Sequence, residues 1–284
     1  MTRRARTRFV RDFAIAATLD TLEDLCRRRL KGDDVVLGEI QAVNLGLAAH
    51  ERLTPKLCGL LRETGWRVIV HMIDLNLSGH LDMAILAGLK KATRDLDVEW
   101  FEEDLGIWTW GQLALGVHHL PPFLDQESVR DTAANIRKCS EVLERPLCVE
   151  NPPTYFALGD MDMWEFMACV AEEADCGLVL DTGHMIGFDV CTGQTTSQPQ
   201  GKAWRGWSRV RELHVSGFQS VQLAGLSIWI DHHPEPVREP QIDWILQTLP
   251  CLSPSALICL EMDGASPAAI ADTHARLLRG MVSA

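Results

Sequence analysis

Eight short apolar runs, separated by longer amphipathic stretches, constrain this chain more than any other feature. They are FAIAA (13–17), VVLGEI (35–40), VIVHM (68–72), VEWFE (98–102), LCVE (147–150), GLVLD (177–181), ELHVS (212–216) and LICLE (257–261). Runs that are apolar throughout suit strands covered on both faces, as in a parallel sheet. The intervening stretches, among them 21–30, 81–94, 127–143, 163–174 and 267–278, carry apolar residues at helical spacing. Eight strands alternating with helices predict an α/β chain folded as a (β/α)8 TIM-type barrel, in preference to an open doubly wound sheet. A length of 284 residues, 46% of them hydrophobic, suits one such barrel as a single domain over 1–284. Residues 186–208 (IGFDVCTGQTTSQPQGKAWRGWS) have a poor helical pattern and read as a long loop over the barrel mouth. The basic stretch MTRRARTR opens a flexible tail over 1–10. No apolar run long enough for a signal or a membrane span follows it.

A formal net charge of -12 argues against a nucleic-acid partner, since phosphate binding needs a basic face. Nine cysteines without a CxxC pair do not form a disulfide framework. Cys148, Cys169 and Cys259 lie in apolar stretches and read as small core residues, and a reducing, cytoplasmic location fits.

The polar residues at the strand ends carry the chemistry. Strand two carries Glu39, and strand three runs into His71. Strand four ends in Glu102, Glu103 and Asp104, strand five in Glu150-Asn151, and strand six in Asp181 with His184 three residues on. Strand seven carries His214, and the loop after it holds Asp231, His232 and His233. Strand eight ends in Glu261, followed by Asp263. In a parallel barrel these ends open onto one face, where active sites form. Any one of these residues alone reads as a hydrogen-bonded structural group. Acids or imidazoles at seven of eight strand ends are hard to explain as core packing. Unpaired, such a ring repels itself and shifts its own pKa values. Mixed imidazole and carboxylate ligands without thiolates suit iron, manganese or zinc. Their number exceeds what one tetrahedral ion needs and points to two or three metals. In LDTGH the glycine is expected to let the chain turn so that Asp181 and His184 reach the same mouth. Asp231 and His233 are spaced as a loop-borne ligand pair, with His232 turned away. His118 and His119 read as loop residues, and His50, His80 and His274 as surface residues.

In order along the chain, VIVHMIDLNLSG, ERPLCVENPPTYF, MDMWEFMACVAEEADCGLVLDTGH, RELHVSG, IDHHPEPV and ICLEMDG resemble the multinuclear non-haem iron-dependent oxidative enzymes, the family that includes the methanobactin-biosynthesis oxidase. The resemblance covers about Val35 to Glu261, and ENP..Y and IDxH..PV are its most specific pieces. It implies a TIM barrel with two or three irons, mixed Fe(II)/Fe(III), and O2-dependent oxidation of a ribosomally synthesised precursor peptide, often at cysteine. A separate protein that delivers the peptide is implied as well. Carried over, His71, Glu150, Asp181, His214, Asp231, His233 and Glu261 become ligands or near-ligands, with Asp181, His214 and Glu150 the residues on which catalysis depends. Asn151 becomes a further ligand or orients Glu150. Two departures stand out. Glu102-Glu103-Asp104-Leu105 replaces the usual Ser-Glu-His-Leu, so Glu103 and Asp104 fill that ligand segment with Asp104 in a histidine's place. His184 follows LDTG, where the family often has asparagine. The same barrel type also serves divalent-metal sugar isomerases and an endonuclease. Absence of a strand-end lysine speaks against the first, and the acidic charge against the second.

Overall fold

Eight parallel strands close on themselves in a computed structural model that describes residues 11–283, apart from 33, 112, 116–119, 194–198, 200–202 and 224. They are β1 (Phe13–Ala17), β2 (Ile40–Leu47), β3 (Arg67–Met72), β4 (Val98–Asp104), β5 (Leu147–Glu150), β6 (Gly177–Asp181), β7 (Val210–Ser216) and β8 (Leu257–Glu261). Each pairs with its neighbours in chain order, and β8 pairs with β1 to complete the ring. A helix follows every strand: α1 (Leu19–Lys31), α2 (Pro55–Thr64), α3 (Met83–Thr93), α4 (Gln126–Leu143), α5 (Met163–Ala174), α6 (Thr182–Thr192), α7 (Glu239–Thr248) and α8 (Pro267–Ser283). The expected (β/α)8 barrel and its single domain are what the chain forms.

Local chemistry sets the helix starts. Asp82, Asp125 and Asp162 each cap a helix by accepting backbone N–H groups of the first turn, at 2.7–3.3 Å. Such a cap contributes about 1 kcal/mol. The apolar faces of the helices then pack on the outward side chains of the strands in one continuous core.

Inside the barrel, the two-residue alternation of a strand builds tiers. Ala14, Ala42, Ile69, Trp100, Cys148, Val179 and Leu257 form a separate apolar floor. Two positions further along β2 to β6 stand Asn44, His71, Glu102, Glu150 and Asp181. The register sets His71 level with Glu102, Asp104 level with Glu150, and Asp181 level with His214. A polar tier therefore rests directly on an apolar one.

Four sequence expectations are corrected. Strand two is Ile40–Leu47, not 35–40: Asp34 accepts from Leu37 N at 3.1 Å and winds Val35–Gly38 into one helical turn. Glu39 is exposed at the end of that turn, outside the mouth, and faces His274 at 3.7 Å. His274 is buried against the Phe13 ring, 4.5 Å between centroids, rather than on the surface. The segment after strand six is not a loop from residue 186, because α6 runs to Thr192 and a 3-10 helix covers Arg205–Arg209. Residues 194–198 and 200–202, which complete the expected loop, lie outside the described residues, as do the expected tail over 1–10 and His118-His119. All nine cysteines are free, and Cys169 is half-buried beside Arg205 rather than in the core.

Candidate metal centre

His214 stands at the middle of the mouth, fully buried on β7. Its Nδ1 lies 3.0 Å from Glu150 Oε1 and 3.0 Å from Glu261 Oε2. Its Nε2 lies 3.2 Å from Glu102 Oε1. His71 on β3 comes within 3.4 Å of Glu150 and 3.8 Å of Glu261. On the other side His184 is 3.9 Å from Asp104, 3.7 Å from Glu150 and 3.7 Å from Asp181. Its Nε2 is 3.8 Å from Asp231, which in turn sits 2.9 Å from His233. His233 reaches toward Glu261 at 4.0 Å and Asp263 at 3.4 Å. His232 turns instead toward Glu235, 3.9 Å away.

The elements aim these groups. Asp181 ends β6 and caps α6: its Oδ1 accepts from His184 N at 2.6 Å and from Ser216 Oγ at 2.9 Å. The second oxygen, Oδ2, is thereby left facing the mouth without a partner. Gly183 serves by size rather than by turning. Its backbone is helical, and a Cβ there would fall on Ser216 Oγ and 3.2 Å from Gly217 O. Asp231 closes the hairpin of Phe218–Leu223 and Leu226–Asp231, which crosses over α6. His184 Nδ1 meets the carbonyl of Asn151 at 2.8 Å, so α6 is tied to the end of β5.

Two expected ligands stand elsewhere. Glu102 and Asp104 point inward, so Glu103 between them points out. Its carboxylate accepts from Leu75 N at 2.9 Å, Asp74 N at 3.2 Å, Asp104 N at 3.2 Å and Trp108 Nε1 at 3.2 Å. Asn151 clamps β6: Nδ2 donates to Asp181 O at 3.0 Å and Oδ1 accepts from Asp181 N at 2.8 Å. Each Glu103 oxygen already accepts two hydrogen bonds, and Asn151 spends both its polar atoms on Asp181. Conversely, sequence reasoning passed over Asn44, Glu212 and Ser216 and named Glu102 among the strand-end acids without giving it a role; all four are buried inside the barrel. Parity would have found three of them, since Trp100-Glu102-Asp104 and Glu212-His214-Ser216 share the inward face with residues already chosen.

Burial and mutual charge shift the titrations strongly. Burial pushes Glu150 up to about 7 and Asp181 up to about 6, against the pull of His214 and His184 respectively. Burial works against charge on His71, yet Glu261, Glu150 and Glu102 raise it to about 10. His214, His184 and His233 are raised well above the ordinary imidazole range, because their carboxylate neighbours outweigh burial. Glu261 lies well below the usual carboxylate range, His214 and His233 overcoming its burial.

A buried polar atom without a partner costs about 1–3 kcal/mol. Here such atoms converge: both oxygens of Glu150, Asp181 Oδ2, Glu261 Oε2, Asp104 Oδ1, Asp231 Oδ1, His71 Nε2 and His214 Nδ1. Glu150, Asp181, His214 and Glu261 offer one atom each within 4.8 Å of one another, and so do three further sets: Asp104, Glu150 and His184; His71, Glu102 and His214; and Glu212, His214 and Cys259. Three of these sets, all but the one with Cys259, hold only nitrogen and oxygen donors, which fit iron, manganese or zinc. The residues present thus fit a metal cluster.

Fold and site together define a TIM-barrel protein with a buried histidine–carboxylate cluster that could hold metal ions. Across residues 23–277 the chain matches the model of the RiPP precursor modification enzymes MbnB/TglH/ChrH, and it belongs to that family. A UPF0276 protein of Pseudomonas aeruginosa is 31% identical over 192 residues, 64% of this chain and 63% of the relative's length. The alignment thus spans under two thirds of that relative. A UPF0276 protein of Rhizorhabdus wittichii is 26% identical over 76% of this chain and 77% of its own. Among solved structures, a xylose isomerase-like TIM barrel protein of Mycobacterium smegmatis superposes with a TM-score of 0.55 at 13% identity, covering 98% of this chain and 99% of its own. D-psicose 3-epimerase of Clostridium cellulolyticum gives 0.52 at 12%, covering 95% and 97%. These two likenesses establish the fold alone.

Proposed function

We propose that this chain is an iron- and O2-dependent oxidase that modifies a ribosomally synthesised precursor peptide at cysteine. Family membership supports a peptide substrate, and the nitrogen and oxygen donors of the two sets used below are of a kind that suits iron. The observation that carries the reading is the position of Glu150. Both of its oxygens lack a partner, and it belongs to both of those sets. Glu150, Asp181, His214 and Glu261 would hold one ion, and Asp104, Glu150 and His184 a second. His71, Asp231 and His233 border these positions and would complete them or serve a third. Iron bound there would supply a Lewis acid and open positions for a substrate thiolate and O2.

The chain's own residues do the rest. Ser216 Oγ–H and the His184 N–H hold Asp181 Oδ1, which presents Oδ2 to the cluster. Asn151 fixes the ends of β5 and β6 relative to each other. The apolar floor under the cluster keeps water from reaching it through the barrel. The protein acts in the cytoplasm, with a separate partner delivering the peptide.

The test is metal analysis of anaerobically purified protein, then reaction with any cysteine-bearing peptide encoded beside its gene, with any delivery protein encoded there. Two or three irons per chain, O2 consumption and a mass change at cysteine are expected. Magnesium, manganese or zinc with no O2 use would overturn the oxidase reading in favour of isomerase-like or hydrolytic chemistry.

A further inference from the structure

Beside the proposed ligands stands a second group of polar side chains that the two proposed ion positions do not use. Glu102, Glu212 and Asn44 are all within the barrel, and both glutamates are fully buried. Hydrogen bonding separates Glu102 from the ligands, whereas Glu212 keeps one oxygen, Oε2, without a partner. Glu102 has no free oxygen: Oε1 accepts from Asn44 Nδ2 and Oε2 accepts from Trp100 Nε1 at 3.2 Å. Glu150 and Glu261, by contrast, leave oxygens without partners on the mouth side.

His214 is sandwiched between the two groups. Its Nδ1 has no hydrogen-bond partner and faces the mouth, 3.0 Å from an oxygen of Glu150 and 3.0 Å from one of Glu261. Its Nε2 faces down, 3.2 Å from Glu102 Oε1. Asn44 Nδ2 is also 3.1 Å from Nε2, but both its hydrogens have carboxylate acceptors, Glu102 Oε1 and, at 3.4 Å, Glu212 Oε1. With Glu102 Oε1 at 3.2 Å and Asn44 occupied by the two carboxylates, Nε2 is placed to donate a hydrogen to Glu102. Once it is neutral, as a metal ligand must be, the imidazole holds one N–H, so donation from Nε2 would leave the lone pair on Nδ1. That lone pair would point to where the partnerless oxygens converge.

We propose that Glu102 is a positioning residue: held by Asn44 and Trp100, it takes the Nε2–H of His214 and so presents Nδ1 as the metal donor. The proposal rests on the metal reading above. A carboxylate behind a ligating imidazole fixes its ring and raises its basicity, and loss of such a partner costs about 10- to 100-fold in metal affinity.

Zn(II), which is diamagnetic, serves as the probe. In Zn(II)-loaded protein carrying 15N-labelled histidine, NMR should show His214 protonated at Nε2 and metal-bound at Nδ1. Glu102→Gln should weaken Zn(II), measured by chelator competition, about 10- to 100-fold, while the metal-free protein keeps its far-UV circular dichroism. Trp100→Phe removes the indole N–H without touching His214 and should give a smaller loss in the same direction. It is the variant to read if Glu102→Gln does not fold. Zinc bound through Nε2 of His214, or affinity within twofold of wild type in the folded variants, overturns the proposal and leaves the cluster standing. A wild-type chain that binds no Zn(II) overturns the metal reading and this one with it.

Discussion

At the scale of single residues, three consecutive acids on β4 have three different duties. Glu102 takes hydrogen bonds below the cluster, Asp104 presents a partnerless oxygen to it, and Glu103 faces away to bind backbone N–H groups. Strand parity separates them, and composition does not. Glu103→Ala would strand four donors, those of Leu75, Asp74, Asp104 and Trp108. Thermal unfolding should register a loss of about 2–4 kcal/mol, with metal per folded chain unchanged. Asp181→Ala and His214→Ala should do the opposite, removing bound metal and turnover together. Metal analysis of both variants decides: full metal and full turnover in Asp181→Ala would break the site assignment. The helix cap lost with Asp181 should add about 1 kcal/mol of destabilisation.

At the scale of elements, the mouth is assembled from pieces of uneven legibility. Strands that are apolar and end in an acid, such as GLVLD and LCVE, are plain in the sequence because both faces are buried. Strand β2 is not, since its inward Asn44 and its Gln41, which accepts from Phe13 N at 2.9 Å, interrupt the apolar run. The run just before it looked more strand-like, but Asp34 caps it into a turn of helix. Helix α6 was missed for a related reason. Gly183 and Gly187 lower its intrinsic propensity, and what holds it is tertiary: the Asp181 cap and the hairpin that crosses it. The hairpin has its own clamp, the Arg238 guanidinium, 4.5 Å from the Phe218 ring and 4.8 Å from the Trp229 ring. Cation–π contacts of this kind contribute about 0.5–2 kcal/mol. Arg238→Ala should therefore loosen the strand that carries Asp231 without touching β6 or β7. Protease cleavage within 218–231 should quicken, and chelator competition should show a severalfold weaker metal. Unchanged cleavage would mean that the clamp does not hold the hairpin.

At the scale of the whole molecule, the cluster sets how stability responds to pH. Carboxylates held low, Glu102, Asp231 and Glu261, owe this to histidine neighbours that outweigh burial. Their contribution is lost only as pH falls below the ordinary values of 3.8 to 4.5, so they add no slope above about pH 5. The raised groups all act in one direction. Glu150, moved from 4.5 to about 7, and Asp181, from 3.8 to about 6, hold protons in the folded state that the unfolded chain has released. His71, moved from 6.5 to about 10, does the same at higher pH. For each, stability is fully present below the unfolded pKa and is lost as pH rises through the folded one. Each proton so held contributes a slope of up to about 1.4 kcal/mol per pH unit. The metal-free protein should thus melt at steadily lower temperature from pH 6 to pH 9.5. Metal ligation needs those same protons gone, so affinity rises with pH and the loaded protein should gain stability over pH 6 to 8. Scanning calorimetry of chelator-treated and metal-loaded samples across this range should give curves of opposite slope. A metal-free melting temperature that stays level or climbs would show that the histidines and carboxylates of the mouth are not sharing protons in the way their packing requires.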